Sequence, residues 1–291
     1  MKLWARIVLT GLIFLSFVAF TFYYISNYNV PVLHPKGLIA AKERDLLITA
    51  SLLMLIVIIP VFFFTMIFAW VYRDENKKAK YTPDWGHSNT AEFFWWGVPL
   101  LIITALAIIT WKSTHDLNPF KPLTSTKKPL SIQVVALEWK WLFIYPEQNI
   151  ATVNFVQFPK DVPINFEITA DAPMNSFWIP QLGGQIYAMP AMRTKLHLIA
   201  HEEGDYRGSS ANISGKGFAG MVFTARVSSE ETFEDWVSKV KNSSESLDAE
   251  SYSRLVMPSE YNPPAFYAPV SSQLFDKILE KYMVPEGEYA R

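Results

Sequence analysis

Three long apolar runs dominate the first third of the chain, and a two-residue alternation takes over after residue 129. Ile7 to Ile25, Leu46 to Tyr72 and Phe93 to Trp111 hold no charged residue. About 20 apolar helical residues cross the roughly 30 Å hydrocarbon layer of a bilayer. Membrane-spanning helices are therefore expected at 45–72 and 93–112, with residues 1–26 either a signal peptide or an amino-terminal anchor. At 1.5 Å per residue the second run reaches about 40 Å, so it must tilt or pass the interface. Pro60 and Pro99 lie inside two of the runs, where membrane helices tolerate proline.

From Pro129 onward, Ile132, Val134 and Ala136, then Ile164, Phe166 and Ile168, then Leu196, Leu198 and Ala200 alternate with their neighbours. A further strand is expected over 218–227, and an aromatic one over Glu138 to Tyr145. Turn signals separate them, among them Pro159-Lys160-Asp161, Gly183-Gly184 and Gly215-Lys216-Gly217. Short strands at this spacing predict a β-sandwich or barrel over 129–227. The period then lengthens. Phe233, Trp236, Val237 and Val240 share one helical face, and Leu274, Phe275, Ile278, Leu279 and Tyr282 share another. Ser228 and Glu231 resemble a capping box, and 228–291 reads as a helical arm that packs on the sandwich or on a partner.

Composition narrows the chemistry. The chain has 291 residues, a net charge of -1 and no cysteine. Near-neutral charge gives no electrostatic case for nucleic acid. Without a thiol there is no disulfide, thiolate metal site, cysteine nucleophile or cysteine-borne lipid. The five histidines show no zinc-helix spacing. His197 and His201 read as surface residues, and Asp171, Glu202, Glu203 and Asp205 as a solvated rim. The sequons at Asn212 and Asn242 read as chance matches. Lys2 and Arg6 ahead of the first run place the amino terminus inside. Residues 73–92 are then cytoplasmic, and everything after Trp111 lies outside.

Two membrane helices followed by a sandwich opening on Trp139-Lys140-Trp141-Leu142-Phe143-Ile144-Tyr145-Pro146 resemble subunit II of the haem-copper oxidases. The resemblance runs from about Pro35 to the end. It implies two membrane helices, with or without a third amino-terminal one, then a cupredoxin-like domain and the arm. In the cytochrome c oxidases of that superfamily this domain holds two copper ions on two histidines, two bridging cysteines, a methionine and a glutamate carbonyl. At the matching positions here Asn175 and Phe218 replace the histidines, Ser210 and Ser214 the cysteines, and Asn212 the glutamate. Only Met221 remains. The resemblance thus implies a degenerate copper site and no cofactor in this chain.

Without that copper, a quinol is the expected electron donor. Tyr145-Pro146-Glu147-Gln148 and the arm are similar to the bo-type ubiquinol oxidases, although the lipoprotein cysteine frequent there is absent. The resemblance implies a non-catalytic subunit of an H+-transporting ubiquinol oxidase in a bacterial inner membrane, with the large domain periplasmic. Subunits I, III and IV are the implied partners, and subunit I the holder of the haems and the oxygen-reducing copper. It also places Glu92, at the start of the last span, near a proton-uptake path. A carboxylate in a first helical turn also suits the helix dipole. An aa-type menaquinol oxidase subunit and a free-standing anchored cupredoxin-like protein are the competing readings.

Overall fold

The computed structural model describes residues 3–28, 30–80, 82–242 and 245–283. Lys2, Ser243 and Ser244 lie outside them. Three long helices come first: α1 (Leu3–Asn27), α2 (Leu38–Val71) and α3 (Asn89–Asp116). Each is long and apolar enough to cross a membrane. α2 begins at Leu38 rather than near residue 45, and α3 runs from Asn89 rather than 93. Polar residues extend both helices past their apolar runs, because helical hydrogen bonds do not need apolar side chains. Within the spans, the Thr65 and Thr104 hydroxyls donate to the carbonyls of Val61 and Leu100, at 2.7 and 2.8 Å.

The chain forms two compact units, residues 42–121 and residues 1–41 with 122–291. The second contains a sandwich of two sheets. One has the order β11-β3-β2-β1-β5-β8 and the other β4-β10-β9-β6-β7. The strands are β1 (Leu130–Leu137), β2 (Lys140–Tyr145), β3 (Ile150–Val153), β4 (Phe155–Pro159), β5 (Ile164–Ala170), β6 (Asn175–Trp178), β7 (Ile186–Ala188), β8 (Thr194–Leu198), β9 (Gly204–Ser210), β10 (Val222–Ser228) and β11 (Ala265–Tyr267). β1 pairs with β5 in parallel, and so do β4 and β10. The inner faces meet over Trp141, Phe143, Phe166, Phe177 and Phe223, and Phe177 stacks on Phe223 at 5.2 Å. This is a cupredoxin-like β-sandwich.

Three local expectations need correction. Residues 218–220 form a 3-10 turn, and β10 starts only at Val222. The aromatic strand starts at Lys140, because Trp139 adopts a left-handed φ of 60° and makes the turn from β1. The cap of helix α4 (Glu230–Lys241) is Ser229, whose hydroxyl accepts from the Thr232 amide at 3.2 Å. Ser228 ends β10, and its hydroxyl accepts from Gln157 at 3.0 Å instead.

After β10 the chain returns across the sandwich. α4 buries Phe233, Val237 and Val240, and Trp236 packs edge-on to Tyr145. α5 (Ala249–Val256) precedes β11, and α6 (Leu274–Glu280) follows it. Leu274, Phe275, Ile278 and Leu279 of α6 join Val135, Leu137, Leu142, Ile144, Ala151 and Val153 in a second core. β1 to β3 are thus covered on both faces. All six residues of β2 are buried, as expected of a doubly covered strand.

At the other border, Lys36 to Ala40 are sewn to the sandwich by main-chain bonds. The amides of Lys36, Leu38 and Ala40 donate to the carbonyls of Gln181, Ile199 and Leu182 at 2.7 to 3.1 Å. A Cβ on Gly37 would stand 2.8 Å from the Ile199 and Leu182 oxygens, so only glycine permits this approach.

Candidate functional site

The loop from Ala211 to Met221 joins β9 to β10 at one end of the sandwich. Four of the six expected ligand positions meet there. Ser210 and Asn175 are buried, and the serine hydroxyl donates to Asn175 Oδ1 at 2.9 Å. Asn175 Nδ2 donates to the Pro173 carbonyl at 2.8 Å. Asn212 Nδ2 donates to the Met174 carbonyl at 2.9 Å. Met221 is fully buried, and its carbonyl accepts from the Ser210 amide at 3.1 Å. Ser214 and Phe218 stand apart from this group. The Ser214 carbonyl accepts from Trp139 Nε1 at 3.2 Å, while its hydroxyl is buried with no partner. Phe218 opens the 3-10 turn.

This donor set does not fit two copper ions. Soft thiolates select and bridge copper, whereas a neutral hydroxyl is a hard, weak donor. Asn175 and Ser210 spend their polar atoms on each other and on the backbone. A lone Met thioether remains. His197 does not repair the set. It is buried on β8, and its Nδ1 meets Asn165 Oδ1 at 2.7 Å, so the surface placement expected for it is wrong. A β5 side chain opposite it in register supplies the partner that makes burial tolerable. His201 is half-exposed and pairs with Asp161 at 2.8 Å.

The second candidate is at the head of α3. Ser88 caps the helix, accepting weakly from the Ala91 amide at 3.4 Å. Glu92 sits in the first turn, its side chain 33% exposed, and its carboxylate meets Nδ1 of the exposed His87. A partly exposed carboxylate beside an imidazole can take a proton from water and pass it on.

The acidic set is not a uniform rim. Asp205 pairs with Arg226 through two bonds of 2.6 Å, which hold its carboxyl below the usual range. Glu202 pairs with Lys36. Asp171 is buried, because the arm folds over it. The Tyr252 hydroxyl and the Lys281 ammonium donate to it at 2.7 Å, and Tyr282 donates as well. Burial alone would raise its pKa, but these three donors and the lysine charge outweigh it and lower the value.

Sequence reasoning passed over Lys140. This residue is only 2% exposed, and its ammonium donates to the carbonyls of Leu255 and Met257 at 2.9 and 2.8 Å and to the Ser259 hydroxyl. Burial lowers its pKa, against the pull of nearby Glu138. The signal was a single charge inside an aromatic strand, since a lysine is almost never fully buried unless paired.

Over 254 residues the chain is 57% identical to cytochrome bo(3) ubiquinol oxidase subunit 2 of Pseudomonas aeruginosa, covering 87% of this chain and 77% of the relative. The chain belongs to the ubiquinol oxidase subunit 2 family. Ubiquinol oxidase subunit 2 of Acetobacter aceti is 50% identical over 89% of this chain and 84% of the relative. Quinol oxidase subunit 2 of Bacillus cereus is 37% identical over 87% of each. Residues 241–286 match the COX Aromatic Rich Motif, which takes in α5, β11 and α6. Among solved structures, the periplasmic domain of cytochrome oxidase subunit II of Bradyrhizobium japonicum is similar at a TM-score of 0.38 and 22% identity. It covers 40% of this chain and 96% of that domain. As in the rest of its family, the chain is a subunit of a larger oxidase, and the free-standing reading falls.

Proposed function

We propose that the chain is the copper-free second subunit of a proton-pumping ubiquinol oxidase that reduces oxygen to water. Its helices anchor it in a bacterial inner membrane, with the sandwich and arm on the periplasmic side. Subunits I, III and IV are its partners, and the haems and the oxygen-reducing copper belong to subunit I. The observation that carries this reading is serine at both Ser210 and Ser214 in a chain with a ubiquinol oxidase pedigree. Electrons from cytochrome c would need the bridged copper pair that these hydroxyls cannot build. A membrane quinol delivers to subunit I directly. The 57% and 50% identity to relatives named as ubiquinol oxidase subunits supports ubiquinol as the donor.

The test is the complex isolated through a tag on this chain. It should contain haem, consume oxygen on ubiquinol and leave reduced cytochrome c untouched. Stoichiometric binuclear copper on this polypeptide, or efficient cytochrome c oxidation, would overturn the reading.

Glu92 is assigned to proton collection at the cytoplasmic side, next to subunit I. Its place in the first turn of α3 and its contact with His87 support that role. Glu92→Ala should slow ubiquinol oxidation by roughly tenfold in a complex that still assembles with full haem. Unchanged turnover would leave Glu92 a helix-capping charge alone.

A further inference from the structure

We propose that arm residues 255–262 act as an internal clasp that holds the 211–221 loop in one shape without a metal, working through the adjacent residues Trp139 and Lys140. The contacts stand whether or not the loop descends from a copper site, so the proposal is independent of that assignment.

Trp139 grips the loop. Its indole N–H donates to the Ser214 carbonyl at 3.2 Å. Its ring fills the space over the next turn, where a Cβ on Gly217 would fall 2.3 Å from Cδ2. Gly215 beside it has a φ of 110°, open to glycine. Trp139 itself is left-handed, a conformation that persists only when its surroundings enforce it. Lys140, the next residue, grips the arm. Its ammonium donates to two carbonyls at the end of α5 and to Ser259. Neighbouring residues at a strand's start point to opposite sides, so one turn reaches both segments.

The arm also touches the loop directly. Glu260 pairs with Lys216 at 3.2 Å. Tyr261, left-handed at a φ of 53°, lays its ring on Gly220, where a Cβ would stand 2.9 Å from Cδ1. The neighbouring Asn262 carbonyl accepts from Asn154 Nδ2 at 2.9 Å, and Asn154 Oδ1 accepts from the Trp141 amide at 2.9 Å. The arm segment is thus tied to the hairpin that carries Trp139. Metal bonds would order such a loop from its own side chains. Here Asn212 supplies one such side-chain bond, to the Met174 carbonyl, and the contacts over 214–220 come from outside the loop.

Arm and loop should therefore loosen together. Hydrogen exchange on the intact complex tests this. Lys140→Met should speed exchange about tenfold or more in both 249–262 and 211–221. Acceleration confined to the arm overturns the proposal. If Lys140→Met does not fold, a second pair of variants decides. Gly220→Ala should speed loop exchange in the natural chain and have no effect in a Tyr261→Ala background, where the ring is gone. An equal effect in both backgrounds overturns the clasp.

Discussion

A buried charge costs several kcal/mol unless its bonds are made inside the protein, and two such charges fix the arm. Lys140 spends all three ammonium protons on oxygens of the arm. Asp171 takes three donors from it. The aspartate's pKa is lowered, so its contribution to stability is complete above the ordinary carboxylate value of about 3.9. It is lost as pH falls through the depressed value. Residues 274–282 should stay docked from neutral pH down to about pH 4 and release only as the pH falls further. Tyrosine fluorescence or exchange of residues 274–282 against pH would record that. Asp171→Asn should abolish the acid step and cost about 1–3 kcal/mol, a fall in Tm of several degrees.

At the scale of elements, α6 matters because β1 and β2 have no solvent face. Phe275 is 1% exposed, and Phe275→Ala should cost about 3–5 kcal/mol, measured as denaturant midpoint in mild detergent. The sequence pattern made the spans, the strands β1, β2, β5, β8 and β10 and the arm helices α4 and α6 readable from their runs of apolar residues, whereas the short β3, β4, β7 and β11 and the mostly polar α5 carried no such signal. It showed Glu138 to Tyr145 as a strand but not why the strand lacks alternation, because the covering helix α6 begins only at Leu274, far along the chain. Trp139 was unreadable as a turn because turn chemistry favours Gly, Asn and Asp, and here tertiary contacts force the backbone. The Ser228–Ser229 pair offers two caps with the same chemistry, and only strand pairing of Ser228 with Pro159 decides between them. Of the ligand positions, the sequence order gave the residues, but not that Asn175 and Ser210 bond to each other while Ser214 faces Trp139.

For the whole molecule, the proposed orientation is open to direct test, since a chain with no cysteine makes every introduced thiol a clean reporter. Lys128→Cys should react with an impermeant maleimide in intact spheroplasts, and Lys78→Cys only after the membrane is opened. The reverse pattern would invert the topology. A last consequence lies in β11, which pairs its three residues with β3 at the border of the larger sheet. Until residue 267 has been made and, in the proposed orientation, carried across the bilayer, a nascent chain holds the four-residue β3 with one side of its backbone unpaired. Such a rim is sticky. In the proposed orientation, export of this subunit therefore has a vulnerable interval that closes only when β11 arrives, and chaperones of the exported side should bind chains stalled before that point and ignore those carried past it.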